Sequence, residues 1–263
     1  MSSARLSSLR SPRYTIASIQ SDSGTTHFVS TEVSNWIILQ HGSDLALIDG
    51  GYPGQARDVV DSIREIGGRP EAVVGALLTH AHVDHIGGLA KLVEQYDFPV
   101  YADDLEVGHA RREYLQQATP ADVVPLTRHV RGIRWLSKII PLGALTKDGI
   151  AAAQGFPSSS NPPALDLPGK PVPVAAHGHT DGHSGYLVAD GVGLVSGDAL
   201  VSAHMTSPLT GPQCLSKHFQ HDAEANRTAV QSFTALDAQI LLPGHGPLLR
   251  TSVADAAREA LER

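Results

Sequence analysis

The sequence predicts an α/β fold in which two runs of strands are each closed by a helix, a strand and a further helix, with a helical insertion between the two runs. Three observations point to it. Short apolar, β-branched segments alternate with segments whose apolar residues recur at helical spacing. Gly- and Pro-rich steps separate them. The polar run Thr79-His80-Ala81-His82-Val83-Asp84-His85 directly follows an apolar strand, where α/β folds place their chemistry. A single domain is expected over residues 13–263, with residues 103–170 as an insertion and linker inside it. Residues 1–12 are Ser- and Arg-rich and are expected to be poorly ordered.

The elements follow in order. Residues 14–19 and 27–29 alternate like strands, and 35–40 and 44–49 are two more, joined by the turn His41-Gly42-Ser43. After Gly50-Gly51-Tyr52-Pro53-Gly54 the helical spacing of 57–66 predicts a helix, which Gly67-Gly68 stops. Residues 71–78 form the buried strand that leads to His80. The cluster is expected on the loop leaving that strand, with Gly87-Gly88 ahead of a helix over 89–93. A short strand at 99–102 precedes a helical stretch from 103 to about 145, broken at Pro120, Pro125 and Pro141, and a Pro/Ser/Asn-rich linker over 155–173. Strands are expected again at 172–176, 184–188 and 193–196, then a helix at 223–236, a strand at 238–242 and a helix at 253–261. Each half runs strands, helix, strand, helix, a hint of internal duplication.

Three imidazoles and a carboxylate within six consecutive positions, His80 to His85, match the usual ligands of zinc and other borderline first-row ions. Two ions need further ligands. His179 in Gly178-His179-Thr180-Asp181-Gly182-His183, Asp198 in Ser196-Gly197-Asp198 and His245 in Pro243-Gly244-His245-Gly246 each follow an apolar strand and stand beside glycine. The composition agrees: 14 His against 1 Cys favour imidazole–carboxylate sites and exclude a thiolate cage or disulfide framework. Cys214 reads as packing. The 263 residues, 41% hydrophobic and 18% charged, suit a globular domain. A net charge of -7 argues against nucleic acid as the main partner. No run approaches the roughly 20 apolar residues of a membrane span, and no apolar stretch follows the N-terminal arginines as in a signal peptide. The expectation is a cytoplasmic protein acting on a small molecule, with no nucleic acid or membrane partner.

These stretches, with Leu47-Ile48-Asp49-Gly50-Gly51, resemble the metallo-β-lactamase fold hydrolases, most closely their glyoxalase II-like branch. The resemblance runs from Asp49 to His245, most of the chain. It implies an αββα sandwich of two mixed sheets flanked by helices. It also implies two zinc ions, with iron or manganese as alternatives. On that reading His80, His82 and His179 hold one ion, Asp84, His85 and His245 the other, and Asp198 bridges them. Asp49 would orient a ligand, and His183 either does likewise or packs. The family's cysteine-bearing β-lactamases have Cys where Asp198 stands.

The implied reaction is attack of a water, activated between the ions, on an ester, thioester or lactone carbonyl. Asp84 is the candidate catalytic residue, a ligand whose second oxygen shuttles a proton. No Gly-x-Ser-x-Gly motif offers a serine nucleophile. The substrate does not carry over. The segment 199–205 lacks the Lys and Tyr that help hold glutathione in glyoxalase II, and Val201 stands where acyl-homoserine lactonases have Tyr. The alternatives are a mononuclear iron enzyme like the persulfide dioxygenases, or a phosphodiesterase or nuclease of the same fold. His204 could donate to a leaving group but reads better as a solvent-facing loop residue. Arg111, Arg112, Arg128, Arg131, Arg134 and Lys138 could greet an anionic substrate but read better as a solvated helix face, and Leu136, Ile139, Ile140 and Leu142 could line an apolar pocket but read better as core packing.

Overall fold

A computed structural model describes residues 6–11, 13–157 and 164–263. The chain opens as a meander. β1 (Leu6–Arg10), β2 (Thr15–Ser21), β3 (Gly24–Ser30), β4 (Asn35–His41) and β5 (Asp44–Ile48) pair antiparallel in sequence order. After α1 (Ala56–Glu65), β6 (Val73–Leu77) returns parallel to β5. After α2 (Val83–Tyr96), β7 (Val100–Ala102) adds parallel to β6. The insertion holds α3 (Asp104–Ala110), α4 (Pro120–Val123) and α5 (Val130–Ile139), and β8 (Gln154–Gly155) then completes an eight-stranded sheet.

The second sheet repeats the plan. β9 (Val172–Ala175), β10 (Ser184–Val188) and β11 (Gly193–Gly197) pair antiparallel. β12 (Val201–Ala203) and β13 (Thr210–Gln213) form a separate ribbon. Past α6 (Ala223–Ser232), β14 (Ile240–Pro243) joins parallel to β11, and α7 (Val253–Glu262) closes the chain.

Side-chain alternation turns these sheets into four layers. In β4, Ile37 and Leu39 face the second sheet and pack with Tyr186, Val188 and Leu242, whereas Trp36 and Ile38 face the helices with Val59, Ile63 and Leu89. The outer face of the second sheet packs on α6 and α7 through Leu194, Leu241, Val230 and Ala257. Central strands buried on both faces read as unbroken apolar runs, as 45–48 does. The result is the αββα sandwich with its helical insertion.

Four expectations need correction. Residues 6–10 are not loose but form β1, whose backbone pairs with β2 from Leu6↔Ile19 to Arg10↔Thr15; the remainder of the expectation for 1–12, at 1–5 and 12, lies outside the described residues. The expected linker yields β8 at its start, and its residues 158–163 lie outside the described residues. β12 and β13 are absent from the sequence reading, since such short strands carry little periodicity. Finally, α2 begins at Val83, not after the glycine pair, so Asp84 and His85 stand in its first turn. Gly88 is there for close packing: a Cβ at this position would lie 1.9 Å from the Gly50 carbonyl oxygen. Among the described residues no helix is long and apolar enough to cross a membrane.

Candidate metal centre

Every predicted ligand stands where a strand or helix end fixes it. β6 ends at Leu77, and the extended residues 78–82 that follow are held from three sides. Leu78 N–H donates to Tyr101 O at 3.0 Å, the Tyr186 hydroxyl donates to Leu78 O at 2.6 Å, and Ser184 N–H donates to Thr79 O at 2.8 Å. His80 and His82 project from this segment. His82 is also the N-cap of α2, so Asp84 sits in the first helical turn, where exposed backbone N–H groups favour a negative charge. His179 comes from the β9–β10 loop, Asp198 from the end of β11, and His245 from the end of β14. Gly244 makes room for Asp198, because a Cβ there would lie 2.2 Å from its Oδ1.

The side chains converge. His80, His82 and His179 form one group, Asp84, His85 and His245 a second, and His80, His85 and Asp198 link them; within each group the facing atoms lie within 4.8 Å of one another. Asp198 reaches both, with Oδ2 3.6 Å from His179 Nε2 and 3.1 Å from His245 Nε2, and Oδ1 3.4 Å from His85 Nε2.

The hydrogen bonds around this cluster fix the imidazole tautomers, and the tautomers show what the cluster fits. His80 Nδ1 donates to Thr79 Oγ1 at 3.0 Å, His85 Nδ1 to Asp49 Oδ2 at 2.8 Å, His179 Nδ1 to Gln220 Oε1 at 3.2 Å and His245 Nδ1 to Val33 O at 2.7 Å. His82 is turned the other way, with Nε2 donating to Gln116 O at 2.6 Å. Each ring gives its outer N–H to an oxygen and aims a lone pair inward, the arrangement of metal-bound histidines. His80 Nε2, His85 Nε2 and Asp198 Oδ1 are buried without any hydrogen-bond partner. His179 Nε2 and His82 Nδ1 face each other at 3.0 Å. Nitrogens sharing one ion at about 2.0–2.1 Å lie roughly 3–3.5 Å apart. Orphaned inward atoms, N/O donors and this spacing fit divalent first-row ions.

Electrostatics agrees. Burial, then the neighbouring His85 and His82, hold His80 neutral, and burial with His82 does the same for His179. Burial opposes a charge on His245, but Asp198 and Asp84 outweigh it and lift its pKa to about 10. The carboxylates demand positive charge at this point, and a divalent ion held by these residues would supply it in place of the proton. Asp84 is kept ionised: burial raises its pKa, but His85 and His245 outweigh that and bring it below the ordinary aspartate range.

The supporting residues divide into those expected and those not. Asp49, at a left-handed φ of 62°, accepts from Thr79 N–H at 2.8 Å, Thr79 Oγ1 at 2.7 Å and His85 Nδ1 at 2.8 Å, so it orients His85. His183 Nε2 accepts the Asp198 N–H at 3.0 Å and so positions the Asp198 backbone rather than merely packing. Glu106 and Gln116 are not among the sequence candidates. The fully buried Glu106 accepts from Ala81 N–H at 2.7 Å, His109 Nδ1 at 2.8 Å, Thr180 Oγ1 at 2.7 Å and Gly182 N–H at 3.1 Å, joining the His80–His82 segment to the His179 loop. Burial raises its pKa, but these donors, His109 foremost, outweigh that and hold it below the usual glutamate range. Gln116 offers its carbonyl to His82 and its side chain to Asp181. Tyr52 lines the cavity above the centre, and burial beside Asp84 and Asp198 pushes its pKa well above the tyrosine value, leaving it protonated. No local pattern marks these residues; a buried Glu in a helix looks like any surface Glu.

Two further expectations change. His204 is not solvent-facing: it lines the cavity, its ring 5.0 Å from His245 and perpendicular to it, with Nδ1 2.7 Å from Thr206 Oγ1. Burial and His245 push its pKa down to about 3. Leu136, Ile139 and Ile140 line the same cavity, while Leu136, Ile139 and Leu142 pack in the buried cluster of Tyr52, Val83 and Trp135 as expected.

Comparison with known proteins matches this architecture. The family model of the metallo-beta-lactamase superfamily matches residues 29–245. The probable metallo-hydrolase YflN of Bacillus subtilis is 27% identical over 253 residues, covering 89% of this chain and 90% of its own. A hydroxyacylglutathione hydrolase of Nitrosomonas europaea is 39% identical over 67 residues, only 26% of this chain and 24% of its own. The solved structure of metallo-beta-lactamase SMB-1 bound to 2-mercaptoethanesulfonate shares the fold, with a TM-score of 0.63 at 18% identity over 91% of this chain and 92% of that one. Matched by the family model over most of its length, the chain belongs to the metallo-beta-lactamase superfamily.

Proposed function

We propose that this metallo-hydrolase cleaves an ester, thioester or lactone through a dinuclear zinc centre held by His80, His82, His179, Asp84, His85, His245 and Asp198. The observation that carries the reading is the set of inward lone pairs, split into two groups and spanned by Asp198. Two bound ions would supply a water acidic enough to act as nucleophile near neutral pH and a Lewis acid for the carbonyl oxygen. The chain's own groups supply the rest. Asp84, ionised and open to the cavity, is placed to take the proton of the attacking water and return it to the leaving group. Asp49, His183 and Glu106 hold the ligands in register. Tyr52 remains a hydrogen-bond donor at the cavity floor.

The group of Asp84, His85 and His245 favours two ions over the single iron of a dioxygenase-like centre. The partial likeness to a hydroxyacylglutathione hydrolase supports a carbonyl substrate, but residues 199–205 offer no Lys or Tyr to hold glutathione. The test is the initial rate of zinc-loaded protein on a glutathione thioester, an acyl-homoserine lactone, an aryl ester and a phosphodiester, each with and without chelator. A chelator-sensitive rate on a carbonyl substrate is expected. Turnover of the phosphodiester alone, or oxygen uptake by iron-loaded protein with no hydrolysis, would overturn the assignment.

A further inference from the structure

The cavity above the candidate ions has a volume of about 550 Å³, within the ordinary range of small-ligand sites. Its floor is polar, formed by His82, Asp84, His179, Asp198 and His245. Its walls, supplied largely by the insertion, are not: Val124, Leu136, Ile139, Ile140, Leu145 and Phe219 line it. The apolar surface continues to the solvent edge, where Ile140 is 49%, Val124 64% and Leu145 80% exposed. Scattered exposed apolar residues need no explanation, but a contiguous set around a cavity mouth marks a binding surface.

Charge is absent where an anionic substrate would need it. Of the lining residues, the one Lys or Arg is Lys147, itself exposed. The insertion's other arginines and lysines do not line the cavity, and four of them are engaged elsewhere. Arg111 donates to Ala153 O, Arg112 to Asp148 O and Ala81 O, and Arg134 and Lys138 pair with Glu32. A carboxylate on the part of the substrate that lies along the walls would lose its hydration and meet only Lys147, at an exposed position.

We infer that the insertion forms an acyl pocket: the substrate joins its scissile carbonyl to an uncharged, apolar alkyl or aryl group that lies along α5 while the carbonyl rests on the polar floor. The inference rests on the hydrolytic reading above and names the substrate class for it. Continuity between rim, wall and floor selects a substrate tail over a second protein chain as the occupant, because only a ligand reaching the floor buries all three.

The test pairs a rate with a binding measurement. Metal-loaded protein is assayed on p-nitrophenyl esters from acetate to decanoate, and on an ester of matched length ending in a carboxylate. Each methylene buried is expected to raise kcat/KM roughly two- to fourfold until the cavity is filled, and the terminal carboxylate to cost at least about tenfold. Ile140→Asp and Leu145→Asp, both at exposed positions where the new carboxylate keeps its water, should flatten the series, whereas Val130→Asp, 82% exposed on α5 and outside the cavity, should leave it unchanged. Separately, a long-chain methyl ketone, which cannot be hydrolysed, should alter the emission of Trp135 in the cavity wall, with Trp135→Phe as the control for the buried Trp36. Hydrolysis with no dependence on chain length, or with a preference for the carboxylate, overturns the acyl pocket alone. Ketone binding without hydrolysis of any ester overturns the hydrolytic reading and leaves the pocket standing. Neither binding nor hydrolysis overturns both.

Discussion

Glu106→Gln tests whether the carboxylate joining the two ligand loops needs both of its acceptor oxygens. The wild-type group faces four donors: Ala81 N–H, His109 Nδ1, Thr180 Oγ1 and Gly182 N–H. An amide has one acceptor end. If its oxygen takes the Ala81 and His109 side, the NH₂ meets Thr180, whose hydroxyl turns to accept, and Gly182 N–H, which cannot. If it is flipped, Ala81 N–H is left facing an N–H, and His109 can accept only by a change of tautomer that turns an N–H toward the Gln116 N–H its Nε2 now accepts. Either way one buried backbone donor is orphaned, at about 1–3 kcal/mol. The two bonds that the amide oxygen still accepts fall from charge-assisted to neutral strength, a loss of roughly 1 kcal/mol each. The sum is about 3–5 kcal/mol. Ala81 lies between His80 and His82, and Gly182 adjoins His183, so metal affinity should also fall about 10–100-fold, as for other groups that brace metal ligands. Urea unfolding of metal-depleted protein reads the first quantity, and chelator competition the second. A loss under 1 kcal/mol with unchanged metal affinity would refute the reasoning.

Other perturbations address other levels. His82→Ala removes an inward lone pair and should lower metal content, measured by elemental analysis, and abolish turnover; a fully active variant would sink the ligand assignment. Gly88→Ala drives a methyl into the Gly50 carbonyl and should destabilise the protein by the upper end of about 1–3 kcal/mol or more; an unchanged urea midpoint would contradict the close packing of α2 on that loop. Burial lowers the pKa of His27, which lies between Ser18 and Gln40, despite the opposing hydrogen bond to Gln40. The unfolded chain therefore binds a proton at His27 first, so its contribution is full above the ordinary histidine pKa and is lost as pH falls from there toward the folded value. Metal-loaded His27→Gln should lose less stability than wild type between about pH 7 and 5; parallel curves would count against it.

The candidate ligands are legible in the sequence because each is a polar residue stranded between an apolar strand and a glycine, and because His80 to His85 lie close in sequence. The core is legible for the same reason as the strands: β4 and β5 are buried on both faces, and little but an unbroken apolar run suits that. Gly87-Gly88 misleads, since glycine placed for close approach looks the same as glycine placed to stop a helix. Glu106 and Gln116 are invisible because their partners, Thr180, Gly182 and Asp181, are some 65–76 residues distant and arrive only with the fold. The insertion's charges draw attention in sequence, yet its apolar face meets the cavity, because charge pattern does not say which face of a helix is turned inward.

The two halves of the chain meet at the candidate centre. His80, His82, Asp84 and His85 come from the first, and His179, Asp198 and His245 from the second. Asn35, which donates to Pro243 O at 2.8 Å and Gly246 O at 2.7 Å, is one of the protein's own ties across that seam, beside Tyr186 to Leu78 and Ser184 to Thr79. Ions bound between the halves would act as a further tie, and one whose strength follows supply: at a free concentration 100 times Kd, binding would add about 2.7 kcal/mol per ion to the folded state. Metal availability would then govern how long the chain survives proteolysis as well as how fast it turns over, so a metal-starved cell would lose the protein itself along with its activity.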